Sequence, residues 1–357
     1  MWQNKKRPLQ KGLLALCALI LIIGVAAGCG KKEEGDTAAP AGSPGEVLVT
    51  YKDGGKVTRE EFNKFLNVNM MFNQQYAQYK EEPAFQQDMM NQLVAFNVLA
   101  SRADDKAKEQ AEKQSKEQLE QIKGFMGMQE GGMEKLLTDN HVTEQDLNEF
   151  VQKSIQVFVS EENKVADPKL QAAYDEKLAQ DKSAYDIATV SHILIGTSDP
   201  ATGQETRTKE EALQRAKEVQ DKLVKGGDFA ALAKEYSEDP GSKDNGGQYA
   251  DAPLTQWVPE FKKAASELPI GQISEPVETS FGYHVMKVEA RKTKTFDEVK
   301  QELRSELAQY NVQEFMEKEL PTLIETNNLP KQEEPKPAET PGAEAPKTDA
   351  PQTETGK

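Results

Sequence analysis

Cysteine is almost absent from this chain: Cys17 and Cys29 are the only two in 357 residues, and both lie within the first thirty. No intramolecular disulfide can therefore staple the body of the protein. Histidine is as scarce, with His141, His192 and His284 the full set. A metal hydrolase could be imagined on His192, Asp239 and His284, but no H-x-x-x-H or C-x-x-C spacing accompanies them, so neither a metal nor another cofactor is expected. Positive charge is also in deficit. Forty-four Lys and Arg face 60 Asp and Glu, for a formal net charge of −16 and a pI near 4.9. That excludes a phosphate-binding surface, and nucleic acid is set aside as a partner. Gly12 to Ala27 is an uncharged, mostly apolar run of sixteen residues. As a helix it would span roughly 24 Å, short of the ~30 Å hydrocarbon core, so a permanent membrane span is disfavoured.

What is present begins with an address. Lys5, Lys6, Arg7 and Lys11 precede the apolar run, which ends in small residues, and 1–28 reads as a secretory signal peptide. Ala26-Ala27-Gly28-Cys29 resembles the lipobox of bacterial lipoproteins, although Ala26 stands where Leu is preferred. The resemblance implies lipid attachment at Cys29 and a chain anchored on the extracytoplasmic face of the cell membrane. An ordinary cleavage site with an incidental Cys is the alternative. Loss of four cations and no acids would carry the formal charge from −16 to −20, and such a body is repelled by anionic headgroups. Residues 29–46 lack apolar periodicity and read as a flexible tether, and 330–357, rich in Pro, Glu and Thr, as a disordered tail.

Between these ends the pattern is helical on both sides of a different middle. Val47 to Tyr51 is β-prone and is followed by the turn signal Asp53-Gly54-Gly55. Thr58 and Glu61 form a capping-box pattern ahead of Phe62, Phe65, Leu66 and Met70. Pro83 to about Ile122 is apolar as far as Leu99 and then charged, which predicts a solvated second half. Thr143 caps a helix carrying Leu147, Phe150, Val151, Ile155 and Phe158; Asp167-Pro168 reads as N-cap and first helical position. Phe296, Val299, Leu303, Leu307, Tyr310 and Phe315 repeat the helical spacing downstream.

Residues 187–291 differ in texture. Val190 to Ile195, Gly226 to Ala233, Tyr236-Ser237-Glu238-Asp239-Pro240, Val258-Pro259-Glu260-Phe261 and Phe281-Gly282-Tyr283-His284-Val285 resemble, in order, five segments of parvulin-type peptidyl-prolyl isomerases. The whole order resembles the PrsA foldases and the related SurA chaperones. That resemblance implies an α+β fold: a parvulin domain at 187–291, with a four-stranded antiparallel sheet, inserted in a mostly helical chaperone domain formed by 47–186 and completed by a C-terminal helix in 292–329.

By match to the family positions, His192, Asp239 and His284 are the candidate catalytic residues, and Trp257, Phe261, Thr279 and Phe281 the candidate substrate-binding ones. Each has a plainer reading. A buried His can simply be a satisfied core residue, an acid before Pro is often a turn former, and Trp257 and Phe261, four apart on one helix face by spacing, could be core packing. Trp257 stands where the family usually has Met. His141 has no such context and reads as a surface or cap residue. Prolyl isomerisation needs no nucleophile, only relief of a barrier of about 18–20 kcal/mol by an apolar slot and fixed dipoles, and Asp at position 239 rules against covalent attack by a thiol there. The implied partners are unfolded or newly secreted polypeptides containing proline. A holdase with a weak or inactive isomerase module is the competing function, and the oligomeric state is open, a dimer included.

Overall fold

The protein is described here by a computed structural model covering residues 43–128 and 131–330. The signal peptide, Cys29, most of the tether and the tail beyond Pro330 lie outside the described residues. In chain order the first half runs β1 (Val47–Tyr51), β2 (Gly55–Thr58), α1 (Arg59–Phe72), α2 (Pro83–Ser101), α3 (Asp105–Met126), α4 (Gly132–Asp139), α5 (Glu144–Lys164) and α6 (Asp167–Gln180). There follow β3 (Asp186–Gly196), α7 (Lys209–Val224), α8 (Phe229–Tyr236), β4 (Gln248–Pro253), α9 (Pro259–Glu267), β5 (Val277–Thr279), β6 (Gly282–Thr293), α10 (Phe296–Glu314), α11 (Leu320–Leu323) and β7 (Ile324–Asn327). No described helix is long and apolar enough to cross a membrane. The described chain divides into two compact units, 43–98 with 118–150 and 318–330, and 99–117 with 151–317.

The first unit holds a three-stranded antiparallel sheet in the order β2-β1-β7. Asp53 and Gly54 both take positive φ, 68° and 75°, the pairing a tight hairpin turn requires. Thr58 caps α1 by accepting from the Glu61 amide at 3.3 Å. The Glu61 carboxylate accepts from Asn97 at 2.9 Å. Phe65 meets Phe96 edge-on at 6.2 Å and Phe150 at 5.7 Å, over a core including Leu48, Val49 and Val57. The stretch read as a helix up to Phe315 continues as a π turn at Phe315–Glu319, then α11, then β7. Pro321 near the start of α11 lacks the amide that a continuous helix would need.

Two further readings need amendment. Pro83 to Ile122 is two helices, with Asp104 accepting from the Ala107 amide at the break, and the second buries Ala107, Ala111 and Ile122. Ala166, not Asp167, occupies the N-cap of α6, and Pro168 sits in its first turn. Asp167 instead pairs with Lys300 at 2.7 Å and Arg304 at 2.9 Å, alongside a core of Leu170, Tyr185, Val299 and Leu303.

The second unit is built on a four-stranded antiparallel sheet, β4-β3-β6-β5. Alternation along β3 and β6 gives it two faces. Ile193, Ile195, Tyr283 and Val285 pack against Ala212, Ala216, Val219 and Leu223 of α7 and Leu232 and Ala233 of α8. Ala188, Val190, Met286 and Val288 pack on the other side against Leu254, Phe261 and Ala265. The register opposes His192 to Met286 and Leu194 to His284, so the two imidazoles are diagonal neighbours on the second face.

Candidate active site

The loop carrying Asp239 is pinned to the end of β3 before any pocket chemistry begins. Ser237 ends α8 and its hydroxyl accepts from the Leu194 amide at 3.2 Å, while the Glu238 amide donates to the Leu194 carbonyl at 2.9 Å. The Glu238 carboxylate takes the Gly196 amide at 2.8 Å and a two-pronged contact from Arg207 at 2.5 and 2.7 Å. Two residues back along the same edge of β3 the His192 amide donates to the Gly247 carbonyl at 2.8 Å. Gly247 has φ +76°, and a Cβ there would lie 2.3 Å from the His192 carbonyl oxygen, so only glycine lets the chain enter β4 at this point.

His192, Asp239 and His284 come together. The two imidazoles face each other through their Nδ1 atoms at 3.1 Å, and His192 Nε2 meets Asp239 Oδ2 at 2.9 Å. Both rings are buried, with His192 3% and His284 5% exposed. Oδ2 also accepts from the Ser242 hydroxyl and from the Tyr249 hydroxyl, the latter at 2.9 Å, and Oδ1 accepts from the Gly241 amide at 3.1 Å. Burial works to raise the Asp239 pKa, but the bonds from His192, Ser242 and Gly241 outweigh it and hold the carboxyl well below the usual range. Burial, and then the neighbouring His192, push the His284 pKa down to about 3.

The ionised Asp239 fixes one end of the proton arrangement. An ionised carboxylate can only accept, so His192 donates from Nε2, its proton shared with the Ser242 oxygen at 2.9 Å. One proton lies between the two Nδ1 atoms, and His284 Nε2 bonds the Thr279 hydroxyl at 3.0 Å. Thr279, His284, His192 and Asp239 thus form a continuous hydrogen-bonded chain ending on a fixed negative charge. Every ring nitrogen is used.

Phe261 of α9 sets its ring edge-on to both imidazoles, 5.3 Å from His192 and 5.1 Å from His284. Trp257 is not on that helix face, contrary to the reading from spacing: Pro259 opens α9, and Trp257 lies two residues before it in extended backbone with φ −99° and ψ 151°. Its ring still meets Phe261, at 5.0 Å and 64°. Thr279, placed among the substrate-binding residues from sequence, is buried at 7% exposure beneath His284. Phe281 stands 58% exposed between β5 and β6, its amide donating to Thr279 Oγ1 at 3.1 Å. His141 lies exposed after α4 and takes no part. Sequence reasoning missed Ser242 and Tyr249. Ser242 sits three residues past Asp239, within reach of a turn argument; Tyr249, ten residues on in an unrecognised strand, had no signal.

A family profile described as PPIC-type PPIASE domain matches residues 176–292, the span that contains the whole network. The chain is 33% identical over 275 residues to foldase protein PrsA 4 of Bacillus cereus, covering 75% of this chain and 79% of that one. The chain belongs to the PrsA foldase family. The PrsA of Caldanaerobacter subterraneus is 29% identical over 339 residues, 89% of this chain and 95% of its own. A solved peptidylprolyl isomerase structure, PrsA from Bacillus cereus, is 29% identical and covers 78% of this chain and 91% of that one, with a TM-score of 0.31. This PrsA-family chain carries a PPIC-type peptidyl-prolyl isomerase domain with the α+β architecture described above.

Proposed function

We propose that this foldase accelerates rotation about X-Pro bonds at the site formed by His192, Asp239, His284, Phe261 and Trp257, on polypeptides arriving outside the cytoplasm. The observation that carries the reading is the continuous hydrogen-bond chain from Thr279 to Asp239, roofed by the Phe261 ring, which Trp257 meets from the loop before α9. Twisting the prolyl amide removes its resonance, shifts charge on the carbonyl oxygen and makes the ring nitrogen more basic. A site of fixed dipoles needs no reorganisation to meet that change. A reduction of about 5 kcal/mol in the barrier would raise the rate near 10⁴-fold. Phe261, Trp257 and exposed Phe281 grip the proline and its neighbours, Asp239 supplies the fixed charge, and the His pair holds the floor in shape.

Residues 187–291 serve in this reading as the isomerase module, and the helices before and after it as the surface for unfolded chains. A lipid on Cys29 holds the protein at the outer face of the membrane. Support for the anchor is the charged, apolar and small-residue order of residues 5–29. Cis/trans exchange of a proline tetrapeptide by the full chain tests the enzymatic part. Catalysis in the wild type that is reduced, though still measurable, in Asp239→Asn supports it; a wild-type rate equal to the uncatalysed one overturns it and leaves a holdase. Intact mass of the mature protein from membranes tests the anchor, which fails if no acyl mass is found on Cys29.

A further inference from the structure

We infer that Tyr249 is a positioning residue of the isomerase site, acting through Asp239: it ties down Oδ2 and leaves Oδ1 as the oxygen with spare acceptor capacity. This rests on the reading of Asp239 given above. Four donors converge on the carboxylate, and three of them, His192, Ser242 and Tyr249, fall on Oδ2, whereas Oδ1 has the Gly241 amide alone. A carboxylate offers about four lone-pair positions, so the asymmetry decides which oxygen can answer to a bound peptide.

Tyr249 does two things that a packing residue would not need to do together. Its hydroxyl reaches Oδ2 at 2.9 Å, and its ring lies nearly parallel to the His192 imidazole, at 5.3 Å and 19°. Both partners of the His192–Asp239 bond are therefore held by one side chain from an edge strand. Burial and then the hydrogen bond to Asp239 push the Tyr249 pKa up to about 12, so the phenol stays a donor at all working pH values. Room for it is made by Gly241, where a Cβ would come within 2.6 Å of the Tyr249 oxygen. The backbone that fixes the far carboxylate oxygen also has to lack a side chain for the phenol to reach the near one.

Exchange kinetics on the full-length protein test this with Tyr249→Phe, Asp239→Asn and the double variant, alongside melting temperature. Tyr249→Phe keeps the ring over His192 and removes only the donor. It should lower kcat about 5–20-fold with KM within about twofold, as expected for one donor lost to a charged acceptor. On the Asp239→Asn background the same change should cost less than about twofold, because the group it acts through is already neutral. Gly241→Ala, which crowds the phenolic oxygen and leaves Tyr249 in place, should reproduce the kcat loss. Equal losses from Tyr249→Phe in both backgrounds, or a loss confined to KM, would overturn the role. If Asp239→Asn itself retains wild-type kcat, the reading of Asp239 has failed first, and the single variants show that separately.

Discussion

His284 is an imidazole that the protein keeps neutral, and that has a cost in acid. Its folded pKa of about 3 lies below the ordinary 6.5 because burial and then His192 oppose its charge. Throughout that window the unfolded chain binds a proton that the folded chain refuses. The stability it contributes is therefore whole above pH 6.5 and drains away as pH falls toward 3. Asp239, whose folded pKa lies below its ordinary value, adds to the loss in the same direction at lower pH. Urea midpoints at pH 7, 5.5 and 4 should fall in the wild type and fall less in His284→Asn; a flat wild-type series would refute a buried neutral His284. Asp239→Ala should slow peptide exchange yet leave suppression of client aggregation nearly intact, since a holding surface needs apolar area and the isomerase needs one oriented charge. Parallel losses in the two assays would show that both activities share the pocket. His192→Ala is the poorer probe, because an orphaned buried partner costs about 1–3 kcal/mol and mixes folding with function.

Among elements, the pocket loop hangs on a clamp. Arg207, between β3 and α7, grips Glu238, and Glu238 neighbours Asp239. Arg207→Ala should raise amide exchange at 237–239 while α9 stays protected; unchanged protection there would mean that Ser237 alone holds the loop. Thr208 closes a full capping box with Glu211, so Thr208→Ala should cost about 1 kcal/mol by chemical denaturation without altering kcat. These local devices show what was legible in the sequence and what was not. β3 and β6 could be read because His192 and His284 sit in runs dense in β-branched, aliphatic and aromatic residues. β4 could not: Gln-Tyr-Ala-Asp-Ala-Pro has neither alternation nor β-branched residues, and it is a strand because β3 pairs with it. Tyr249 was hidden with it. Trp257 was misplaced because a spacing of four suggested one helix, while the proline between it and Phe261 starts a new one. β7 is four residues long, and nothing local announces a strand whose partner is at the other end of the chain.

For the whole molecule, a formal charge of −16 should bias which unfolded chains are drawn in. Aggregation of a cationic client should be suppressed better at low than at high salt, and that of an acidic client the reverse, since screening weakens attraction and repulsion alike. Equal salt response for both clients would assign holding entirely to apolar contact. The second consequence concerns time. Polypeptide is made from its N-terminus, and the sheet β4-β3-β6-β5 has all its strands once Thr293 has emerged. The first sheet has to wait longer: β1 pairs with β7, and the hydroxyl contact between Thr50 and Thr326 joins residues 276 apart. A chain interrupted before Ile324 would hold a finished isomerase sheet and an open β1 edge, a template for unwanted pairing. In a protein that tends the folding of others, the earliest strand to appear stays unprotected until nearly the last one arrives.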